Sequence, residues 1–303
     1  MNSFWGCARN SFFTTWISME LNLLIFLPMI LLGGGAQTLA STVKYIVIQS
    51  VSGLIVIISF SSSYHSAGGG VGQIFITLVL LFKLGGFPFI QWVLSVGSTM
   101  DWFSLTVILT VQKIMPINFI ANSPFKSAVF LGYISWGLLP ILTVKAKLIK
   151  TIIILSSTFS LIAIIVRLSL RFYSWKYLLS AYTLISLPII LLAGISDKEN
   201  NSIKTLSPKI LTTYSVVLII RIMGLPPSPG FFFKLAILLH LLGMGELLGM
   251  VMFALGSGGI ILAYLAVIIL NNLSTRVILA PSYLNPVAPL SLGAFFISVF
   301  LML

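Results

Sequence analysis

The sequence predicts an all-α polytopic membrane protein with about ten transmembrane helices. Hydrophobic residues make up 58% of the 303 residues and charged residues only 7%, whereas a soluble domain carries roughly 25% charged residues. The mean hydropathy is +1.13. Apolar segments of about 20 residues, the length that crosses a bilayer, recur along the chain. We therefore predict that residues 1–303 form a single transmembrane domain with no room for a soluble one.

The charged residues and cysteines exclude several classes of function. The 17 Lys and Arg exceed the 5 acidic residues, but they lie mostly in short loops, as in membrane proteins, and form no basic patch for nucleic acid. Cys7 is the single cysteine, and His65 and His240 are the two histidines. We expect no disulfide, metal or haem site. The runs at 33–35 and 68–70 are glycine-only and complete no dinucleotide-binding pattern.

Ten spans follow from the apolar segments. The N-terminal residues 1–11 are short and polar and lack the layout of a signal peptide. The spans are predicted near residues 12–34, 42–62, 72–96, 102–122, 127–144, 148–167, 175–194, 209–243, 247–271 and 284–302.

Two of these spans contain helix-breaking residues. The third holds Gly85-Gly86-Phe87-Pro88, and the eighth holds Gly224-Leu225-Pro226-Pro227-Ser228-Pro229-Gly230. Proline removes a backbone donor and clashes with the preceding turn. Broken backbone at membrane depth is tolerated only where protein or a water-filled cavity surrounds it. We predict that both spans are discontinuous helices with functional surroundings.

Four ionisable residues lie inside apolar segments: Glu20, Lys83, Lys113 and Lys234. Each costs on the order of 3 kcal/mol or more at the bilayer centre, so such residues usually face the bundle interior and mark pathways. The alternatives are a structural ion pair or a side chain that reaches the interface from a span end. Lys83 and Lys113 have about 10 apolar residues on either side, so their side chains are too far from a span end to extend to the interface. A carboxylate among lysines can pass protons, so we predict a proton relay.

The positions of two lysines suggest an internal repeat. Lys83 stands just before the break in its span, and Lys234 stands just after the break in its span. Interrupted spans in both halves of a chain are typical of transporters built from inverted repeats. The pattern therefore predicts an inverted repeat with one lysine beside each broken helix.

The order and spacing of these motifs over roughly residues 12–240 resemble one known family, NADH dehydrogenase subunit 2, an antiporter-like membrane subunit of respiratory complex I. The residues that carry the resemblance are Phe12-Phe13-Thr14-Thr15-Trp16, Glu20-Leu21-Asn22, Phe26, Pro28, Lys44-Tyr45, Gln49, Lys83-Leu84-Gly85, Pro88-Phe89, Trp92, Gln112-Lys113, Pro116, Gly224-Leu225-Pro226-Pro227, Gly230-Phe231 and Lys234.

The resemblance implies a function and a setting. It implies a proton-translocating subunit of NADH:ubiquinone oxidoreductase in the mitochondrial inner membrane, crossing it several times beside subunits 4 and 4L and membrane lipids. The family's relay residues fall on Glu20, Lys83, Lys113 and Lys234. The resemblance also implies that FMN, iron–sulfur clusters and ubiquinone are held elsewhere in the complex, with no cofactor in this chain.

The chain departs from the family at several positions. The family usually has histidine where this chain has Ile90, and its Tyr-Ser-Ser-x-x-His stretch corresponds to 155–160, which ends in Ser160. An acidic pair often follows the last lysine, where this chain has Leu239 and His240, and Arg221 is an additional cation. These departures concern the connections between the relay residues.

Three other functions share parts of this pattern. A stand-alone or Mrp-type cation/proton antiporter has the same core, but the chain lacks the extra N-terminal spans of such proteins. A structural membrane scaffold would not need four ionisable groups inside its spans. A small-molecule transporter is a weaker alternative. Purification in mild detergent separates them, because a complex I subunit should copurify with quinone reductase activity and many partners.

The loops carry a modest charge bias. With ten spans both termini share a side, which holds five loop-associated cations against eight on the other. Basic loops favour the matrix or cytoplasmic side, so both termini should face away from it. The five are Arg9, Lys126, Arg167, Arg171 and Lys176, and the eight are Lys44, Lys145, Lys147, Lys150, Lys198, Lys204, Lys209 and Arg276.

This bias yields a prediction of topology. We expect the loops at 145–150 and 195–209 to lie on the matrix side. Protease digestion or labelling of Lys147 from each side of sealed membranes measures this. Labelling of Lys147 from the intermembrane side would show the topology to be inverted.

Overall fold

The computed structural model describes residues 12–31, 36–65, 70–122, 126–146, 148–170, 176–186, 224 and 228–275. Within these ranges the chain is helical and has no strand. The helices are α1 Phe12–Leu31, α2 Ala36–His65, α3 Gly70–Leu84, α4 Ile90–Gly97, α5 Trp102–Leu109, α6 Val111–Asn122, α7 Lys126–Lys145, α8 Ile149–Ser169, α9 at 176–186, α10 Pro229–Gly243 and α11 Leu247–Thr275.

Six helical stretches in the described ranges are long and apolar enough to cross a membrane: Phe13–Leu31, Thr38–Ser61, Trp102–Ala121, Ala128–Lys145, Ile149–Ser169 and Leu247–Ala266. Two further helices, Ile74–Leu84 and Gly230–Gly243, are also apolar but shorter. The all-α membrane class is therefore confirmed. The count of ten spans stays a prediction, because about half of the seventh and eighth predicted spans and all of the tenth lie outside the described residues.

Helix α8 lies at the centre of the described bundle. From Ile152 to Ser169 nearly every residue is buried, and α8 packs against α4, α6, α7, α10 and α11. A helix that is apolar all round belongs inside a bundle. By contrast, α2 leaves large apolar side chains such as Leu54 and Ile58 exposed, as expected for a face that meets lipid.

Close packing between α7 and α11 depends on small residues. Trp136 of α7 is fully buried, and its ring centroid lies 5.0 Å from that of Phe253 on α11. A Cβ at Gly256 would lie 2.6 Å from the Trp136 carbonyl oxygen and 2.7 Å from the Phe159 ring. In membranes, where lipid is as apolar as leucine, small residues that let backbones approach are a main source of helix association.

The fourth predicted span is interrupted where the sequence predicted a continuous helix. Helix α5 ends at Leu109 and α6 begins at Val111, with Thr110 at φ −116° and ψ −74° between them. The Lys113 amide donates to the Thr110 carbonyl, three residues back, at 3.3 Å. The Leu109 carbonyl instead accepts from the Tyr182 hydroxyl at 3.2 Å. Pro116 does not interrupt the span and lies inside α6.

Two cations counted with the loops lie further inside helices than the other described ones, which stand at or next to a helix end. Arg167 is in the last turn of α8 and only 5% exposed, and Lys44 is an exposed residue of α2, two turns from its start. Neither is a loop residue. Removing them from the comparison leaves the direction of the charge bias unchanged.

The packing at Gly256 yields a test of the fold. We expect Gly256→Ala to destabilise the protein by about 1–3 kcal/mol, because the added methyl meets a backbone carbonyl that cannot move without separating α7 from α11. Thermal unfolding in mild detergent measures this. Gly258→Ala is the matched control, since a Cβ there meets nothing within 4 Å. Equal unfolding midpoints for the two variants would contradict this packing.

Candidate functional site

An ion pair joins α1 to α3. Lys83 Nζ lies 3.3 Å from Glu20 Oε1, and the side chains are 6% and 27% exposed. A Cβ at Gly53 of α2 would overlap the Glu20 carboxylate, so the missing side chain leaves room for it. Trp16 Nε1 donates to the Gly53 carbonyl at 3.1 Å and fixes α1 against α2. The predicted contact between Glu20 and Lys83 is therefore present.

The break after Lys83 is an ordered helix end. Gly85 has φ +70°, and a Cβ there would overlap Val93. Its amide donates to the Phe82 carbonyl at 3.1 Å, and the Gly86 amide donates to the Leu81 carbonyl at 2.8 Å. This pair of hydrogen bonds is the Schellman motif, which needs a residue in the left-handed conformation at Gly85. Gly85, Gly86 and Pro88 thus lie at a break, as predicted.

The carbonyl groups freed by this break find side-chain donors. Trp92 Nε1 donates to the Phe82 carbonyl at 2.8 Å, and Gln49 Nε2 donates to the Lys83 carbonyl at 3.2 Å. Trp92 belongs to α4 and Gln49 to α2. Since unsatisfied carbonyl groups are costly inside a membrane protein, these two contacts hold the break in place.

Lys83 and Lys113 line one cavity of about 20 Å³. A water molecule needs about 10–15 Å³ measured in this way, so one fits. Asn22 Nδ2 donates to Gln112 Oε1 at 2.9 Å on its wall and connects α1 to α6. The other polar lining residues are Tyr45 and Gln49. The cavity is therefore a polar space with two cationic side chains.

Lys113 is 3% exposed. Among the described residues no acceptor lies within hydrogen-bonding distance of its Nζ. A buried ammonium requires a partner or water, and the space that Lys113 lines is the cavity it shares with Lys83. The arrangement allows water in this cavity to accept a proton from either lysine.

The second break contains Gly224 and the start of α10. Gly224 is buried with φ +70°, and a Cβ there would lie 3.1 Å from the Gly230 carbonyl and from Lys234 Cδ. Ser228 is the residue before α10, which begins at Pro229. The predicted break residues Pro226 and Pro227 lie outside the described residues. Gly224 and Gly230 approach each other beside Lys234. The inverted repeat stays a prediction.

Lys234 lines a second cavity of about 60 Å³. It is partly buried, and the cavity that it lines also holds hydroxyl groups from α8 and α9. The polar lining residues are Ser156, Ser157, Ser160, Tyr182, Ser186 and Lys234. None of the described residues that line this cavity also lines the first one.

Sequence relatives identify the family. The chain is 30% identical over 256 residues to NADH-ubiquinone oxidoreductase chain 2 of Rhipicephalus sanguineus, covering 81% of this chain and 78% of that protein. The chain belongs to this family. The chain 2 protein of Artemia franciscana is 28% identical over 230 residues, covering 75% of this chain and 73% of the relative. That of Lumbricus terrestris is 24% identical over 330 residues and covers all of this chain. No family model matches.

Solved structures show the same fold. A chain of Thermus thermophilus respiratory complex I has a TM-score of 0.71 at 16% identity, over 96% of this chain and 72% of its own. The archaeal membrane-bound sulfane sulfur reductase gives 0.74 at 14%, over 96% and 68%. The Mrp complex of Dietzia gives 0.70 at 13%, over 84% of this chain and 55% of its own length. The fold is thus common to complex I and Mrp chains, so the sequence relatives decide between them.

The structure brings three of the four predicted site residues together. Glu20 pairs with Lys83, and Lys83 shares its cavity with Lys113. Lys234 lies apart in the second cavity. The stretch 155–160, which corresponds to a family motif, supplies Ser156, Ser157 and Ser160 to this cavity. Sequence reasoning did not find Tyr182 and Ser186, because neutral hydroxyl groups in an apolar helix carry no signal comparable to a charge.

The ion pair yields a prediction at Gly53. We expect Gly53→Ala to push the Glu20 carboxylate away from Lys83 Nζ, because the added methyl occupies its place. A buried ammonium that loses its partner costs about 1–3 kcal/mol. A structure of the variant and its unfolding midpoint in detergent measure both effects, with Gly258→Ala as control. An unchanged Glu20–Lys83 distance would contradict the expectation.

Proposed function

We propose that this chain is a proton-translocating membrane subunit of NADH:ubiquinone oxidoreductase, respiratory complex I, in the mitochondrial inner membrane. The observation that carries the proposal is the water-sized cavity that Lys83 and Lys113 both line. Lys83 is also paired with Glu20. Membership of the NADH-ubiquinone oxidoreductase chain 2 family supports the assignment to the complex. Ionisable residues paired within a membrane domain are typical of proton pathways.

The first step of the proposed path uses the ion pair. While Glu20 stays 3.3 Å from Lys83 Nζ, the carboxylate stabilises the ammonium. If the separation increases, the buried ammonium loses this support and releases a proton to water in the cavity. Lys113 lines the same cavity and can take the proton up. Small movements of α1 against α3 would therefore control the transfer.

Repulsion between the two lysines gives the path its alternation. Two unit charges roughly 4–8 Å apart repel by about 2–4 kcal/mol at an effective dielectric constant of about 20. Protonation of Lys113 thus disfavours protonation of Lys83, and the reverse. A proton that enters at Lys83 is passed on when Lys113 has lost its own towards Lys234, which is the last station in the proposed order.

The driving force in this proposal comes from outside the chain. Quinone reduction elsewhere in the complex moves the membrane subunits, with FMN, iron–sulfur clusters and ubiquinone held by other subunits. We place subunits 4 and 4L beside this chain. The apolar side chains exposed on α1 and α2, such as Leu24 and Leu54, would meet lipid or those partners.

Two competing functions are weaker. A Mrp-type antiporter shares the fold, but the sequence relatives are chain 2 proteins. A scaffold would not need a lysine at Lys113 with no acceptor among the described residues. Purification in mild detergent decides among them, because a complex I subunit should carry NADH:quinone reductase activity with it.

Lys113→Met tests the relay. Methionine keeps the length of the side chain and removes its charge, so we expect the complex to assemble while proton pumping falls about tenfold or more. Quinone reductase activity should fall with it, because the two are tightly coupled. Proton uptake and quinone reduction are measured in membrane vesicles that carry the complex.

Lys145→Met is the matched control. It makes the same substitution at an exposed residue at the end of α7, so pumping should stay at the level of the unmodified complex. Normal pumping by an assembled Lys113→Met complex would remove Lys113 from the path.

A further inference from the structure

The cavity beside Lys234 has a lining suited to water. Its volume of about 60 Å³ corresponds to roughly four water molecules at about 15 Å³ each. Five hydroxyl groups and the Lys234 ammonium face it, whereas its remaining walls are apolar. Each water in a cluster needs two to four polar partners, and the hydroxyl groups, the Lys234 ammonium and the neighbouring waters supply them together.

Tyr182 connects this cavity to the helix that carries Lys113. Its hydroxyl donates to the Leu109 carbonyl at 3.2 Å, while its side chain lines the Lys234 cavity. In a continuous helix the Leu109 carbonyl would accept from the Lys113 amide. Here the Lys113 amide donates to the Thr110 carbonyl instead. The Leu109 carbonyl therefore accepts a hydrogen bond from the Tyr182 hydroxyl in place of the one that the Lys113 amide would donate.

The hydroxyl groups around Tyr182 have a choice of acceptors. Ser157 and Ser186 line the same cavity as the Tyr182 phenol. Ser157 Oγ donates to the Ile154 carbonyl at 2.8 Å, and Ser186 Oγ donates to the Thr183 carbonyl at 3.4 Å. Each hydroxyl has one hydrogen and two acceptor sites. Rotation about its C–O bond can therefore exchange the carbonyl of its own helix for an acceptor in the cavity.

A second hydroxyl pair extends the set towards α11. Ser156 Oγ and Tyr264 Oη are 2.6 Å apart, and either can donate. Tyr264 is buried on α11. Neutral hydroxyl pairs of this kind can reverse their direction without a change of charge, as a chain that passes protons requires.

We propose that the cavity beside Lys234 binds a water cluster and that Tyr182 is the positioning residue that couples this cluster to Lys113. The proposal rests on the proton-path function. In each transfer one O–H bond forms on the accepting oxygen and one breaks on its other side, so every hydroxyl ends neutral. The proton that enters the chain comes from an N–H bond broken at the Lys113 ammonium, and a neutral Lys234 Nζ accepts the proton that leaves it. When the Tyr182 hydroxyl turns from Leu109 towards Ser157, the Leu109 carbonyl becomes free for the Lys113 amide, which shifts Lys113.

Tyr182→Phe tests the coupling, because it removes the hydroxyl and keeps the ring. We expect the complex to assemble and quinone-linked proton pumping to fall about tenfold, which corresponds to about 1.4 kcal/mol in the barrier. We also expect a larger ratio of rates in H₂O and D₂O, because proton transfer becomes rate-limiting. A purely structural role for Tyr182 would lower the amount of complex and leave this ratio unchanged.

Tyr177→Phe is the matched control, since Tyr177 lies on the same helix with 62% of its surface exposed. Ser157→Ala is a second, smaller change that leaves the break before Lys113 intact, and it should lower pumping and raise the isotope ratio in the same direction. If Tyr182→Phe fails to assemble, Ser157→Ala decides.

Parallel measurement of Lys113→Met separates this inference from the function on which it rests. Normal rates and isotope ratios in Tyr182→Phe or, where that fails to assemble, in Ser157→Ala, with loss in Lys113→Met, would overturn the coupling and leave the relay standing. Normal pumping in Lys113→Met would overturn both.

Discussion

The structure depends on one constraint: inside a membrane, every freed backbone group and every charge must find a partner within the protein. At the break after Lys83, the Phe82 carbonyl accepts from Trp92 as well as from the Gly85 amide, and the Lys83 carbonyl accepts from Gln49. The two side-chain donors belong to α4 and α2, so the break fixes the positions of three helices at once. The same constraint places Glu20 against Lys83. A cavity for water then remains where these helices meet α6.

The helix ends make the two lysines beside the breaks unequal. Lys83 lies in the last turn of α3, where the helix dipole stabilises a positive charge, and it also has Glu20. Lys234 lies in the second turn of α10 and lines a cavity with neutral hydroxyl groups. In the proposed path a proton leaves Lys83 only when the support of Glu20 is withdrawn. Withdrawing it needs energy from outside the chain, as expected of a pump.

Much of this arrangement could be predicted from the sequence because its signals are local. Apolar segments predict the helices, Gly85 and Gly224 predict breaks, and a charge within an apolar segment predicts a buried site. The interruption at Thr110 gave no such signal, because it contains neither glycine nor proline. It depends on Tyr182, 73 residues away, which takes the Leu109 carbonyl. Such a contact follows from which helices become neighbours, and hydropathy does not determine that.

The cavity beside Lys234 also shows that a deeply buried helix can hold polar side chains with little desolvation penalty when they are hydroxyl groups. Three of its serines lie on α8, in the most buried part of the described bundle, where a charged side chain carries a large desolvation penalty. Ser156, Ser157 and Ser160 each donate to a carbonyl three or four residues earlier in their own helix, so none is left unsatisfied. Where the family resemblance leads one to expect histidine at Ser160, this chain has a neutral group instead. In the proposed path, these hydroxyl groups can pass protons without becoming charged themselves. Lys113 and Lys234 are then the residues that carry the positive charge.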